Sequence, residues 1–400
     1  MSIAGCTIAA KPLWSYARVL ARSFRAHHPE CPFYVLLADE PEGYVDPAAE
    51  PFTCVPLTAL ALPRVEALRF QYAQQPFTYA CTPHLIAWLH AQGVERVVYF
   101  KQESLVLGPL APLLDRLGTS PIVVTPHLPD PLAGPDAADR EQNISQSGVY
   151  NAGVMGVVAH PTSARFLEWW ADRLFTDCRH DVPNGLHFEQ RWLDLLPAFF
   201  EGVHVLRDAS CNIGHWSLPQ RRVLVAPDGF ASVDGHPLRV FRFSGYRPDE
   251  PLRPTGYNDR LSWADVGDAR LLFERVHQAL IAEGYAITRT WPYAYAMFDN
   301  GVAVPELARR LYRAMGEDTA PPGDPLRTQG PHSYWDWLQS PAPGTSISRF
   351  WHAVRESRPD LQQAYPHLNG EGAARFMAWA RQFGVVEHAV PPEWPAEVLA

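Results

Sequence analysis

The sequence predicts an α/β fold, in which helices flank a mixed and mostly parallel sheet and a small helical module follows. Two observations lead to this prediction. Short apolar runs of strand length alternate with longer segments of helical periodicity, which is typical of a parallel sheet with right-handed crossovers. The chain has 400 residues, 47% of them hydrophobic, so it can bury a large core and still supply a second unit.

The first third of the chain establishes this alternation. Residues 3–10 are small and β-branched and predict a buried strand, and apolar residues at helical spacing predict a helix over 12–28. Pro29 ends that helix, and Phe33–Asp39 is predicted to be a second buried strand that ends in an acid. The later predicted elements are a helix over 79–92, strands over 94–100 and 122–125, a strand over 149–158 interrupted at 151–153, a helix over 161–178, short strands and turns over 205–245, and helices over 268–284 and 304–315.

The distribution of prolines divides the chain into three predicted parts. The α/β domain is expected to cover residues 1–316, a proline-rich linker residues 317–345, and a helical module residues 346–400. Thr345–Ser348 supplies an N-cap for the first helix of that module. Residues 126–147 are rich in Pro, Asp and Gly and predict a loop beside the site.

Composition argues against several classes of protein. A formal net charge of −9 disfavours a nucleic-acid partner. Six scattered cysteines without a C-x-x-C pair indicate reduced thiols rather than a zinc site or a disulfide framework. No signal peptide or spanning segment is predicted, so we expect a cytoplasmic protein, with peripheral attachment to the inner membrane through the C-terminal module as an alternative.

Polar side chains are concentrated where the predicted strands end. Ligands of open α/β sheets bind at the carboxyl ends of the strands, where Asp39 and Lys101-Gln102-Glu103 both lie. Further short motifs follow in a fixed order. From the first strand onward, the motifs are Cys6–Ala9, Phe33–Asp39, Val98–Glu103, Gln146–Gly153, Phe188–Trp192, Asn212–Trp216 and Phe241–Tyr246.

The order of these motifs resembles the retaining GT-A glycosyltransferases of the glycogenin and lipopolysaccharide galactosyltransferase type, and it is similar to a bacterial branch of that family. The resemblance covers residues 2–315. It implies a GT-A fold and a hexosyltransferase that moves a sugar with retention from a nucleotide-diphosphate donor, most often a UDP-sugar. The acceptor and the sugar stay open, because one fold serves many substrates.

The resemblance also implies roles for individual residues. Those implied to bind the nucleotide and the donor are Cys6, Thr7, Ala9, Lys11, Asp39, Thr82, Gln102, Glu103, Asn151, Ala152, Gly153, Ser244 and Gly245. Glu189 and Gln190 match a pair that faces the donor sugar, with Gln190 stabilising the reacting centre and Glu189 acting as a hydroxyl contact or nucleophile. His215, Trp216 and Tyr246 are implied to lie near the acceptor or the sugar, with Trp216 as a stacking surface.

Structural alternatives remain open at several of these positions. Asp39 would serve equally as a helix N-cap after its strand. Asn151–Gly153 would serve as an ordinary turn, and Glu189 as a solvated residue of an amphipathic helix. His215 and Trp216 would serve equally as buried structural residues.

Two positions depart from the family pattern in the same way. Lys101 stands at the first position of the metal-binding Asp-x-Asp motif, and Arg242 replaces the histidine that is the third metal ligand. Thr82 also stands where relatives carry lysine. Because ammonium and guanidinium groups cannot ligate a divalent cation, we expect no metal and interpret Lys101 and Arg242 as joint ligands of the diphosphate.

Three other interpretations stay open. Lys101 and Arg242 could be paired with Glu103 in a closed site. The protein could be an inactive GT-A pseudoenzyme that acts as a binding or scaffolding module. A metal could also be held by Glu103 together with acids that the sequence does not reveal.

Overall fold

The computed structural model describes residues 2–218, 220–257, 261–316, 319–330, 332–391 and residue 394. Contacts divide the chain into two compact units, the first made of Met1–Leu62 and Thr78–Tyr293 and the second of Pro63–Phe77 and Ala294–Ala400. These boundaries differ from the predicted ones, because residues 63–77 and 294–316 group with the C-terminal helices.

A seven-stranded sheet forms the centre of the first unit. In chain order, the strands of this unit are β1 (Ile3–Ala9), β2 (Phe33–Leu37), β3 (Thr53–Pro56), β4 (Arg96–Phe100), β5 (Ser104–Val106), β6 (Ile122–Pro126), β7 (Tyr150–Val158), β8 (His180–Asp181), β9 (Leu186–His187), β10 (Val203–Val205), β11 (Val223–Val225), β12 (Ala231–Val233), β13 (His236–Pro237) and β14 (Val240–Arg242). The main sheet has the order β10-β6-β7-β4-β1-β2-β3, and only its strand β7 is antiparallel to its neighbours. This arrangement confirms the predicted mixed, mostly parallel α/β sheet.

Sixteen helices are assigned in the described part of the chain. They are α1 (Trp14–His27), α2 (Val65–Gln71), α3 (Gln74–Ala80), α4 (Thr82–Ala91), α5 (Ala111–Arg116), α6 (Ala137–Ser147), α7 (Pro161–Asp177), α8 (Leu196–Phe199), α9 (Ala269–Ala282), α10 (Tyr285–Thr288), α11 (Glu306–Met315), α12 (Tyr334–Gln339), α13 (Arg349–Glu356), α14 (Pro359–Ala364), α15 (Gly370–Trp379) and α16 (Val385–Glu387). Helix α1 buries Trp14, Leu20 and Phe24 in the core of the sheet, and Phe24 packs against Phe33 and Phe100.

One prediction beside the site is wrong, and a second is confirmed only in part. Residues 137–147 of the predicted loop form α6, and this helix has no buried residue, so the sequence carries no apolar periodicity to reveal it. Strand β7, predicted to be interrupted at 151–153, is assigned without a break from Tyr150 to Val158. Its pairing with β6 is irregular close to the predicted place, because Val124 pairs with Met155 and Thr125 with Asn151, so residues 152–154 of β7 have no register partner in β6.

Two short antiparallel pairs of the first unit carry residues toward the end of β4. The pair β5–β14 places Arg242 opposite Ser104, directly after the Lys101–Glu103 segment. The hairpin β8–β9 precedes Phe188 and Glu189 in the chain. The small sheets therefore bring distant segments to one edge of the main sheet.

The second unit is helical. Its buried Arg309 donates to the backbone carbonyls of Phe70, Tyr72 (2.9 Å) and Tyr295 (2.7 Å), which ties α11 to the segment 63–77. In the predicted module, α13 starts after Ser348, whose side chain accepts from the backbone N–H of Trp351, as the N-cap pattern predicts. Among the described residues, no helix combines the length and the apolar character needed to cross a membrane.

Candidate functional site

The candidate site lies at the edge of the main sheet where β4 ends and β7 begins. Because β7 runs antiparallel to β4, Phe100 pairs with Val154, and the Lys101 backbone N–H donates to the Gly153 carbonyl at 3.0 Å. The sheet therefore places Lys101 beside Asn151–Gly153. Asn151 and Gly153 belong to a buried strand, so the alternative of an ordinary turn is wrong.

Arg242 is the centre of a buried polar cluster and is 2% exposed. Its Nη1 donates to Asn151 Oδ1 at 2.8 Å, and its Nη2 pairs with Glu103 Oε1 at 3.0 Å. Asn151 Oδ1 also accepts from the Gly153 backbone N–H at 2.7 Å. An arginine has five N–H groups, so these two contacts leave three with which to bind an anion.

Gly153 is the residue that makes room for this arginine. A Cβ at position 153 would lie 1.6 Å from Arg242 Nη1 and 2.2 Å from its Cζ. No side chain fits there unless the guanidinium moves. The glycine is thus required by close approach within the protein, and the sequence prediction of close approach by a sugar stays a prediction.

Lys101 carries the second cation of the site. Its Nζ lies 2.5 Å from Glu189 Oε1 and 3.8 Å from the centroid of the Tyr79 ring. Lys101 is 8% and Glu189 1% exposed, so the alternative of a solvated Glu189 is wrong. Glu189 follows Phe188, which has a positive φ of 50°, and its carbonyl accepts from Trp170 Nε1 at 3.1 Å.

The Gln190 side chain forms hydrogen bonds with both the end of α6 and the start of β7. Its Nε2 donates to the Ser147 carbonyl at 2.8 Å, and its Oε1 accepts from the Ala152 backbone N–H at 3.2 Å. An amide oxygen has two acceptor positions, so Oε1 can still face a ligand. The side chain is buried, 5% exposed, and held in a single orientation by these two bonds.

Each cation of the site is paired with its own carboxylate. Arg242 pairs with Glu103, as the closed-site alternative predicts, whereas Lys101 pairs with Glu189 rather than with Glu103. The four groups sum to zero formal charge. Within the described part of the chain, Glu103 Oε2 and Glu189 Oε2 are buried and accept no hydrogen bond.

Buried His127, half-buried His215 and the Trp216 ring lie near Arg242. The Trp216 ring lies edge-to-face with His127 and His215, at centroid distances of 5.2 and 5.3 Å, and 5.7 Å from Arg242 Cζ. Burial, and to a lesser extent the Arg242 charge, lowers the pKa of His127 to about 3 and that of His215 to about 4. Both imidazoles are therefore neutral at pH 7.

This packing bears on the role predicted for Trp216. The ring is 7% exposed, so it is not an open stacking surface in this structure. A stacking role would require the ring to leave its position between the two imidazoles. Gly214 lies beneath it, since a Cβ at position 214 would approach the ring to 2.4 Å.

A second cluster of charges lies where β1 and β2 end. Lys11 is fully buried, its Nζ pairs with Glu42 and lies 3.7 Å from Asp39 Oδ1, and the Tyr44 ring is 5.2 Å away. Asp39 accepts from the backbone N–H groups of Lys11 at 3.2 Å and Glu40 at 2.9 Å. Asp39 therefore caps the turn after β1 rather than a helix after its own strand, and the N-cap alternative is wrong.

The other residues of the predicted nucleotide pocket are buried. Cys6, Thr7 and Ala9 are 0% exposed, and burial raises the Cys6 pKa well above its usual value. Among the described residues Thr7 Oγ1 has no hydrogen-bond partner. Thr82 is also buried and lies 3.4 Å from the Tyr99 hydroxyl through its Oγ1.

The last predicted site residues are Gln102 and the segment 244–246, and they make different contacts. Gln102 is 8% exposed, and its Oε1 finds no partner in the residues that the structure describes. The Ser244 carbonyl accepts from Thr255 Oγ1 at 2.9 Å, and Gly245 takes a φ of 77°. Tyr246 packs in the core with Phe273 and bonds to His277 Nδ1 at 2.9 Å, so the structure gives it a packing role away from Arg242.

Sequence reasoning missed two residues of the site, Tyr79 and His127. Each touches a residue that was identified, Tyr79 the Lys101 ammonium and His127 the Trp216 ring. Tyr79 lies three positions before Thr82, and His127 follows strand β6 at the same edge of the sheet. The position of His127 after a strand was the available signal.

The carboxylates near Lys101 and Arg242 are the side chains of the site that could ligate a divalent metal. No group of three or more His, Cys, Asp or Glu side chains in the described ranges is arranged to hold one. Lys101 pairs with Glu189 and Arg242 with Glu103, so each of the two nearby carboxylates already has a cationic partner.

Comparison with known proteins finds distant relatives. No protein-family model matches the chain. YfnF of Bacillus subtilis, itself uncharacterized, is 25% identical over 252 residues, which cover 62% of this chain and 82% of YfnF. Among solved structures, the galactosyltransferase LgtC is 16% identical, with 70% of this chain and 96% of that chain covered and a TM-score of 0.42. The glycosyltransferase GlyE of Streptococcus pneumoniae is 14% identical, with 74% and 67% covered and a TM-score of 0.41.

Proposed function

We propose that this protein is a glycosyltransferase that takes its sugar from a nucleotide-diphosphate donor, a UDP-sugar, with Lys101 and Arg242 in place of a metal ion. One observation supports the proposal above all. Lys101, Arg242, Asn151, Glu189 and Gln190, predicted from separate motifs, converge on one buried edge of an α/β sheet. Ligands of such sheets bind at this edge.

The two cations are suited to a diphosphate. Arg242 offers a planar set of donors for a bidentate contact, and Lys101 offers a compact charge. At an effective dielectric of ~20, each cation at ~4 Å from a phosphate charge supplies about 4 kcal/mol of gross attraction before desolvation. The same charges would stabilise the diphosphate as it leaves the sugar.

The remaining residues suit the sugar and its reacting centre. Asn151 can donate its amide N–H groups to hydroxyls, since its oxygen already accepts from Arg242 and Gly153. Gln190 Oε1, fixed by the Ala152 N–H, would face the β side of the donor sugar and stabilise a positive centre at C1. Glu189 would contact a hydroxyl or attack C1, which corresponds to transfer with retention.

A test of this proposal uses a panel of nucleotide sugars with chelator present. We expect slow donor hydrolysis or transfer with at least one UDP-sugar, detected as released UDP, and a product of unchanged anomeric configuration by NMR. The double variant Lys101→Ala, Arg242→Ala should abolish this UDP release. Arg270→Ala, which removes an exposed arginine of α9, should leave it unchanged. Unaltered turnover in the double variant would refute the proposal.

The ion pairing favours one second candidate, a nucleotide-binding or scaffolding module without turnover. Each of the two cations is paired with a carboxylate, so the formal charges of these four side chains sum to zero. Such a module would bind partners without consuming a donor sugar. The donor panel separates the two candidates, because the module releases no UDP from any donor.

A further inference from the structure

The further inference concerns the lysines, of which the sequence has only two, Lys11 and Lys101. Both are buried, and each lies beside a tyrosine ring and against carboxylates. The remaining basic side chains, 32 by difference from the 34 Lys and Arg, are arginines. Since arginine is the usual basic residue of this chain, the lysine at position 101 is an exception.

Glu189 is poorly held apart from its contact with Lys101. Its carboxylate is 1% exposed, and among the described residues it accepts no hydrogen bond beyond the ion pair. A buried carboxylate normally has several donors, because desolvation must be offset by hydrogen bonds. Breaking this single ion pair would leave the Glu189 carboxylate without a partner, although its backbone carbonyl is still held by Trp170.

The backbone that carries Glu189 is held in an unfavourable conformation. Phe188 has a φ of 50°, which is disfavoured for a bulky residue other than glycine. Its ring packs against Tyr79 at 5.5 Å and against His180 at 5.6 Å, and these contacts fix the conformation. Tyr79 thus contacts both Phe188 and Lys101, and joins the two sides of the ion pair.

We propose that Glu189 is an internal ligand of Lys101 that a phosphate group of the donor replaces, and that the exchange releases the Glu189 carboxylate into the sugar site. The proposal rests on the proposed function for the identity of the donor. A phosphate oxyanion and a carboxylate on one ammonium repel each other, so the better-hydrogen-bonding phosphate displaces Glu189. Lys101 exchanges one anionic partner for another, and no covalent bond changes.

The exchange gives the site an order of events. While Lys101 holds Glu189, the carboxylate is neutralised and cannot serve as a nucleophile or stabilise a positive centre. Once the diphosphate occupies Lys101, Glu189 is free and charged beside the donor sugar. Phosphate binding would thereby activate the carboxylate only when a donor is present.

The test uses inorganic pyrophosphate as the probe, with chelator present. Glu189→Gln removes the competing charge with little change of shape, and we expect it to bind pyrophosphate at least fivefold more tightly than the unaltered protein by calorimetry. Glu274→Gln, the same charge change at an exposed position of α9, is the matched control and should leave the affinity unchanged. Equal or weaker binding by Glu189→Gln, or equal tightening by Glu274→Gln, would overturn the inference.

A second measurement needs no variant and serves if Glu189→Gln fails to fold. Selective isotopic labelling of lysine gives NMR signals from two side chains only, because the sequence has two lysines. Pyrophosphate should shift the Lys101 ammonium signal strongly. Pyrophosphate binding that leaves both lysine signals unmoved would overturn the inference.

The outcomes separate the inference from the proposed function. Tighter pyrophosphate binding by Glu189→Gln without turnover of any donor sugar supports the exchange and refutes the transferase. Donor turnover by the unaltered protein with no gain of affinity in Glu189→Gln supports the transferase and refutes the exchange.

Discussion

The guanidinium of Arg242 occupies the space that a side chain at Gly153 would need, with 1.6 Å between its Nη1 and the position of a Cβ. This relationship makes a cation and a glycine on two different sheets mutually dependent. Arg242 can donate to Asn151 and pair with Glu103 only because position 153 has no side chain.

Gly153→Ala should therefore displace Arg242. We expect a loss of about 2 to 4 kcal/mol in the free energy of unfolding, because the methyl group overpacks the strand and leaves Glu103 without its buried partner. Urea denaturation measures this loss of unfolding free energy. Gly256→Ala is the control, since its nearest neighbour would be an ordinary contact at 3.6 Å. Equal stability of both variants would contradict this account of the site.

The contact between Tyr79 and Lys101 should carry a measurable coupling energy. The ring lies 3.8 Å from Nζ, and a desolvated cation–π contact contributes about 1 to 2 kcal/mol. A double-mutant cycle with Tyr79→Leu and Lys101→Met, made in a Glu189→Gln background to avoid an unpaired carboxylate, measures the coupling. Tyr79→Phe should keep it. A coupling energy near zero would show that the ring merely fills space.

The left-handed backbone at Phe188 predicts an unusual ranking of two substitutions. Both Phe188→Gly and Phe188→Ala lose the ring, but glycine adopts a φ of 50° more easily, so we expect Phe188→Gly to be the more stable by about 1 kcal/mol. At Glu274, in the middle of α9, the ranking should reverse, with alanine more stable than glycine. The same ranking at both positions, measured by denaturant unfolding, would contradict the backbone assignment at Phe188.

Neutral histidines beside Arg242 predict loss of stability in acid. Burial lowers the folded-state pKa of His127 to about 3 and of His215 to about 4, below their unfolded values near 6.5. The unfolded chain therefore binds protons first. Stability is complete above about pH 6.5 and falls as the pH drops toward 4, by up to about 1.4 kcal/mol per pH unit for each histidine.

Urea unfolding at pH 7, 5.5 and 4.5 checks this slope. His127→Gln should flatten it, while His236→Gln, at an exposed position of the β12–β13 hairpin, should leave it as it is. Identical slopes for the unaltered protein and His127→Gln would show that His127 can be protonated in the folded state without penalty.

The fold could be predicted from the sequence wherever burial is repeated along an element. Strands β1 and β4 and helix α1 have periodic or continuous apolar residues, and their predicted positions agree with the structure to within a few residues. Helix α6 was missed because none of its residues is buried, and a solvated helix leaves no apolar pattern.

The sequence predicted which motifs form the site, but it did not predict all of the ion pairs between their side chains. Parallel strands bring their carboxyl ends together, which was enough to place Asp39 and Lys101 at one edge of the sheet. Asn151 lies beside Lys101 because β7 runs antiparallel to β4. The partner of Lys101 depends on a hairpin and a strained residue at 188, and neither periodicity nor spacing reports a positive φ at a phenylalanine. Pairing of Arg242 with Glu103 was among the predicted alternatives, and pairing of Lys101 with Glu189 was not.

Calorimetric titration with UDP, first with chelator and then with Mn²⁺, tests the central claim most directly. If Lys101 and Arg242 replace the metal, UDP binds equally well in both conditions, and Lys101→Ala with Arg242→Ala weakens binding at least tenfold while circular dichroism shows a folded protein. Binding that appears only with Mn²⁺, or no binding to UDP, GDP or TDP under either condition, would contradict it.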